Sequence, residues 1–251
     1  MDNSLSTGPT VRGGRGIKYP ESDGKPMGET GVHVEVMLAV LAMLRRHYSG
    51  NDRVAVLANM FLYYEEGDPR KVVCPDVFVT LNVPRNTIRR TFKVWEEGKG
   101  PDLVIEITSK KTRKEDLHKK FDLYRDVLGV REYFLFDPLE EYLEPSLQGY
   151  RLIDGRYGSI AWAGAGLFSE ILGLRLERDE MDLRFFNPAT GRRIPTGEEL
   201  DKAAKAAEEA REELGKVAKA AEQARLDTQA ENERLRRENE VLRSRLREET
   251  D

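Results

Sequence analysis

Two carboxylates in this sequence stand where a carboxylate is costly. Glu106 lies inside the run Leu103 to Ile107, which is short, apolar and β-branched, as in a strand covered on both faces. Asp76 follows Pro75 at the head of a second such run, Val77-Phe78-Val79. Burying an ionised carboxylate is expensive unless it is paired, protonated or bound to a cation. Something positive must therefore sit beside Glu106, and Lys120, on the helix expected to follow, is the candidate. If Asp76 and Glu106 share neighbouring strand ends, their mutual repulsion calls for a divalent cation between them. Hard oxygen donors completed by water suit Mg²⁺ (or Mn²⁺). A cation held in this way lowers the pKa of a bound water and stabilises a developing phosphate oxyanion, which is the chemistry of phosphodiester hydrolysis.

These side chains need a scaffold, and the pattern around them supplies one. Residues 54–65 and 71–80 are β-rich runs separated by Glu66-Gly67-Asp68-Pro69, and they read as a hairpin. Pro75 would break a central ladder, so it marks an edge or a bulge that aims Asp76. A polar connection over 84–100, with Arg85, Arg89, Arg90 and Lys93, leads to the Leu103–Ile107 strand. A helix from about Arg113 to Val127 follows, ended by Gly129. On it Asp116, Lys120 and Tyr124 share one face at i, i+4 and i+8, while Leu117, Phe121, Leu123 and Leu128 supply the core side. The strand Glu132 to Asp137 closes a β-α-β unit whose flanking strands should run parallel. Upstream, Val32 to Tyr48 has the apolar spacing of a helix capped by Thr30, with Glu35 near its start. Glu35 is either a solvated glutamate or an accessory carboxylate facing the acidic site. Asp102 is a rival for Asp76 on the same strand face as Glu106, but a straight strand sets the two about 13 Å apart, too far for one metal.

The rest of the globule reads as a β-meander over 141–163, a short helix and strand over Phe168–Leu176, and a last strand at Leu183–Phe186. Residues 1–31 are rich in Gly, Ser, Pro and charge and read as a flexible arm; 32–196 form the globular domain. From 197 to 251 the composition turns to Ala, Glu, Lys, Arg and Leu. Heptads place Leu200, Ala207, Leu214, Ala221, Thr228, Leu235 and Leu242 at d, with Asn232 and Asn239 among the a positions. A homodimeric coiled coil is expected, the alternative being a solvated helix.

Composition narrows the function further. Cys74 is the single cysteine, and His33, His47 and His118 lack metal-motif spacing, which argues against a zinc enzyme. No apolar run reaches the roughly 18 residues of a membrane span, and no signal peptide is evident, so a cytoplasmic protein without membrane contact is expected. A formal charge of −4 argues against a general nucleic-acid coat while leaving room for a local basic patch. Lys110, Lys111, Arg113 and Lys114 form such a patch beside the acidic site, suited to a phosphate backbone or, alternatively, a solvated helix face.

Taken together, Pro75-Asp76, the stretch Gly100 to Ser109, the spacing Asp116 to Lys120 to Tyr124, and Gly129 to Pro138 resemble the Uma-type restriction endonuclease family of the PD-(D/E)XK nuclease superfamily. The resemblance spans about residues 17–200 and includes Tyr19 to Gly24 and Gly149 to Leu152. It implies an α/β fold, a restriction-endonuclease-like mixed sheet flanked by helices, here followed by the C-terminal coiled-coil helix. It further implies DNA as substrate and Asp76 and Glu106 as metal ligands, with the Ile107 carbonyl a third. One departure stands out: the superfamily pattern expects lysine two residues after Glu106, where this chain has Thr108. Lys120 takes that role in this reading, because its helix packs beside the strand and related proteins use a lysine on this helix; Lys110, Lys111 and Lys119 are the alternatives. Two other outcomes remain open: a non-catalytic scaffold or binding module assembled through the coil, and a hydrolase of RNA or a nucleotide.

Overall fold

A computed structural model describes residues 17–22, 30–109, 112 and 114–248, with side chains described as far as 244. The chain divides into two units, 1–196 and 197–251. In the first, helix α1 (Gly31–His47) opens on Thr30, whose side chain accepts a hydrogen bond from the His33 backbone N–H, and closes on Arg45, Arg46 and His47, which complement the helix dipole. Strands β1 (Val54–Ala58), β2 (Leu62–Tyr63), β3 (Val72–Val73), β4 (Val77–Leu81) and β5 (Phe92–Lys93) follow, then the single-turn α2 (Val94–Glu97) and β6 (Leu103–Ile107).

Helix α3 spans 114–127 and is wound mostly in wide π-type turns over Glu115–Lys120 and Leu123–Val127. The Leu128 amide accordingly reaches back five residues, to the Leu123 carbonyl at 3.0 Å. Beyond it come β7 (Glu132–Phe136), β8 (Leu147–Ile153), β9 (Arg156–Ser159), β10 (Trp162–Ala163), β11 (Gly166–Ser169), β12 (Leu174–Asp179), β13 (Asp182–Asn187) and β14 (Arg192–Arg193).

The central sheet is six-stranded and mixed, in the order β1-β4-β6-β7-β8-β9. Within it β6 and β7 pair in parallel, as the β-α-β reading requires, and the other pairs are antiparallel. Every residue of β6 and β7 is buried, because both faces are covered. Val77, Val79, Leu103, Ile105 and Ile107 pack on one side with α1 and the second sheet, β10 to β14. Phe78, Val104, Tyr133 and Leu135 pack on the other with Tyr124, Phe121 and Leu117 of α3. Within the second sheet β11 and β12 lie so close that a Cβ at Gly166 would be 1.9 Å from the Leu176 carbonyl oxygen, so only glycine fits there.

The two β-rich runs pair as the expected hairpin, β1 with β4 and β2 with β3 in one antiparallel register, but the ladder is interrupted and its β2–β3 end belongs to a separate small sheet that β5 completes. The break comes at Asn59, in the left-handed region at φ 46°, and its N–H meets both the Pro75 and Asp76 carbonyls at 3.1 Å. Three residues, 59–61, face three, 74–76, so the interruption is not a bulge, and Pro75 lies between β3 and β4, where its missing N–H breaks no ladder hydrogen bond. Phe168–Leu176 contains no helix: the chain turns at Gly173, with φ 65°, and adds two strands to the second sheet. Residues 141–146 form no strand, and the meander begins at Leu147.

Of the expected flexible arm, 1–16 and 23–29 lie outside the described residues. Residues 17–22 instead sit on the small sheet, with Tyr19 against Tyr63 and Trp95 at ring distances of 5.0 and 5.2 Å and Arg90 paired to Glu21 at 2.8 Å. An aromatic pocket offsets the entropy of ordering that this composition would otherwise leave uncompensated.

The second unit is one helix, α4 (Gly197–Glu248), whose described side chains are all exposed. Intrahelical pairs such as Lys216 with Glu213 and Arg237 with Glu233 line its surface. No helix among the described residues is long and apolar enough to cross a membrane.

Candidate active site

Register brings the two acids together. Val77 lies opposite Ile105 in the antiparallel β4–β6 pair, so one step beyond the ladder Asp76 lies opposite Glu106, and opposed residues share a face. The Asp76 backbone N–H lies 3.3 Å from Glu106 Oε2, and the Ile107 N–H donates to Asp76 Oδ2 at 2.8 Å. Glu106 is completely buried, whereas the Asp76 side chain keeps 18% of its surface open.

Helix α3 supplies the positive charge. Lys120 Nζ is 2.9 Å from Glu106 Oε2 and 3.0 Å from Asp116 Oδ1, and the Tyr124 hydroxyl donates to Glu106 Oε1 at 2.6 Å. Thus Asp116, Lys120 and Tyr124, aligned by their spacing, meet Glu106 as a group. The aromatic neighbours Tyr133 and Tyr124 lie 5.1 Å apart, and the Tyr133 hydroxyl anchors the Asp116 carbonyl at 3.0 Å.

The electrostatics differ between the two acids. Burial pushes the Glu106 carboxyl well above its ordinary value; Asp76 and Asp116 add to this, against Lys120 and the Tyr124 hydrogen bond. Burial also raises Asp116. For Asp76 burial pushes the same way, but the His33 hydrogen bond and the Lys120 charge outweigh it, leaving Asp76 below its usual range. Burial alone would lower Lys120; Glu106, Asp116 and Asp76 overcome it and raise the ammonium further. Lys120 is therefore a permanent cation at neutral pH.

A family model described as "Putative restriction endonuclease", Uma2, matches residues 13–184, more than half of the chain. The chain belongs to the Uma2 family. A crystal structure from Anabaena variabilis ATCC 29413, described as "a putative nuclease belonging to DUF820", is similar at 19% identity and a TM-score of 0.47, covering 62% of this chain and 83% of that one. No curated protein matches.

In this Uma2 chain Thr108 occupies the position expected to carry lysine; it is buried, and its Oγ1 has no hydrogen-bond partner among the described residues. The ammonium that reaches Glu106 comes from Lys120. Asp102 is elsewhere and fully engaged, bound by Lys99 at 2.6 Å, by Arg131 at 2.7 Å and by the Leu81 N–H at 2.7 Å. Glu35 is exposed. In its place the same helix contributes His33, whose Nε2 lies 3.4 Å from Asp76 Oδ1. That residue was missed, although a signal existed: His33 shares the buried stripe of Val36, Met37, Val40 and Met43, whereas Glu35 falls off it. Of the basic patch, Lys114 is exposed, while Lys110, Lys111 and Arg113 lie outside the described residues.

Tyr124 offers a test of this packing. Tyr124→Phe removes the hydroxyl and leaves Glu106 Oε1 buried without that donor, at a cost of about 1–3 kcal/mol. A lowered urea midpoint with an unchanged denaturant slope is the expected reading. A midpoint equal to the parent's would mean that the hydroxyl contributes nothing.

Proposed function

We propose that this protein is a metal-dependent endonuclease that hydrolyses DNA phosphodiester bonds at the Asp76–Glu106–Lys120 site. The observation that carries the proposal is the juxtaposition of Asp76 and Glu106 with Lys120 Nζ 2.9 Å from Glu106 Oε2. The donors fit a hard cation: two carboxylates side by side, one of them open to solvent. Among the described residues no three His, Cys, Asp or Glu side chains form a metal cluster, and the third donor in this proposal is the Ile107 carbonyl that the family resemblance implies. Asp76 and Glu106 would hold Mg²⁺ or Mn²⁺ with it. When bound, the cation supplies acidity to a water and positive charge near the developing oxyanion.

The chain's own residues prepare that site. His33 and the Ile107 N–H fix the Asp76 carboxylate and keep it ionised. Tyr124 fixes one oxygen of Glu106 and Lys120 the other. Because its pKa is raised, Lys120 is poorly suited to be a general base; it acts by hydrogen bonding and charge, orienting the attacking water or neutralising the phosphate. Asp116 is a positioning residue that holds the ammonium from its far side.

Plasmid DNA incubated with Mg²⁺ or Mn²⁺ should be nicked or cut, and chelation should stop the reaction. Calorimetric titration should show divalent binding in the absence of DNA. Binding without cleavage of DNA, RNA or nucleotides would favour a catalytically inactive scaffold. Cleavage unaffected by chelation would refute the metal-dependent reading.

A further inference from the structure

We infer that α4 is one strand of a parallel, in-register coiled coil between two copies of this chain, selected by the charges of its last heptads. This goes beyond the nuclease reading and does not depend on it. The helix runs unbroken over 52 residues, and its d-position leucines, Leu200, Leu214, Leu235 and Leu242, are all exposed, Leu214 to 68%. A seam of this kind is stable only when covered.

The flanking charges identify what covers it. With d at Leu235 and Leu242, the g positions are Glu231 and Glu238, and the e positions are Arg236 and Arg243. A parallel dimer sets each g beside the e residue five positions further on in the other chain. Glu231 then meets the partner subunit's Arg236, and Glu238 meets the partner subunit's Arg243. An antiparallel dimer would set g against g and e against e, opposing Glu to Glu and Arg to Arg.

Within one helix Glu231 and Glu238 lean on Arg234 at 3.8 and 3.4 Å, while Arg236 and Arg243 have no ion pair among the described residues and stand available to a second copy. Asn232 and Asn239, at a, add a polar pair that holds two strands in register. The occupant of the seam is thus a second α4.

Sedimentation of the full chain tests this. The parent should sediment at twice the chain mass. Glu231→Arg with Glu238→Arg should weaken dimerisation by roughly tenfold or more, since four attractive contacts per dimer become repulsive. Adding Arg236→Glu and Arg243→Glu to the same chain should restore the dimer, which excludes simple misfolding as the cause. A parent that stays monomeric, or a dimer indifferent to the first pair of reversals, overturns the inference.

Discussion

Glu106→Gln will keep its fold and lose DNA cleavage by on the order of 10³-fold or more. The fold survives because the native site already disfavours the charge: Glu106 is fully buried and burial drives its carboxyl well above the ordinary 4.5. Glutamine matches the shape but has one acceptor oxygen for the Tyr124 hydroxyl and the Lys120 ammonium, while Asp116 still pairs that ammonium, so folding stability should fall by about 1–3 kcal/mol, less than for removing the cation itself. It lacks the anionic oxygen that a divalent cation needs. Cleavage kinetics and divalent titration, run beside a urea melt on one preparation, provide the comparison. Parental cleavage rates in this variant would show that the chemistry lies elsewhere.

Lys120→Met should have the larger effect on stability. Its ammonium sits between the Glu106 and Asp116 carboxylates, both buried. Methionine keeps much of the length and leaves both acids without this cation, a loss of about 3–5 kcal/mol for breaking a buried pair. The pH dependence follows in sign. A group whose native pKa is raised stabilises the fold below its unfolded value and loses that contribution as the pH climbs through the native value. Burial raises Glu106 and Asp116 while Lys120 holds both down, so without Lys120 both rise further and Lys120→Met should be least impaired near pH 4 and increasingly impaired toward neutrality. Adding Glu106→Gln should recover part of the loss by removing one of the stranded charges. Melts from acid to neutral pH that stay parallel to the parent's would reject the arrangement.

Much of this site was legible in the chain because its signals are local. A carboxylate inside a β-branched run, a proline before an aspartate and three polar residues at i, i+4 and i+8 are patterns that neighbouring residues impose on one another. They were enough to name Asp76, Glu106, Lys120, Asp116 and Tyr124. Of the two readings of Glu35 the fold keeps the solvated one, because position along a helix says nothing of facing until the buried stripe is traced, and tracing it leads to His33. The second sheet was read partly as helix because Phe168 to Leu176 is short and apolar, and periodicity cannot separate helix from strand at that length.

The sequence by itself determined the kinds of element, their order, the change of character at 197 and the residues able to do chemistry, since these depend on side-chain type and on periods of two or about 3.6 residues. Tertiary structure decided which elements meet. It set Asp76 opposite Glu106, drew Asp102 into a Lys99–Arg131 clasp and brought His33 to Asp76. Those outcomes turn on contacts between residues far apart in the chain, where loop closure, packing of two faces and the desolvation of charge are settled together and no local pattern records the result.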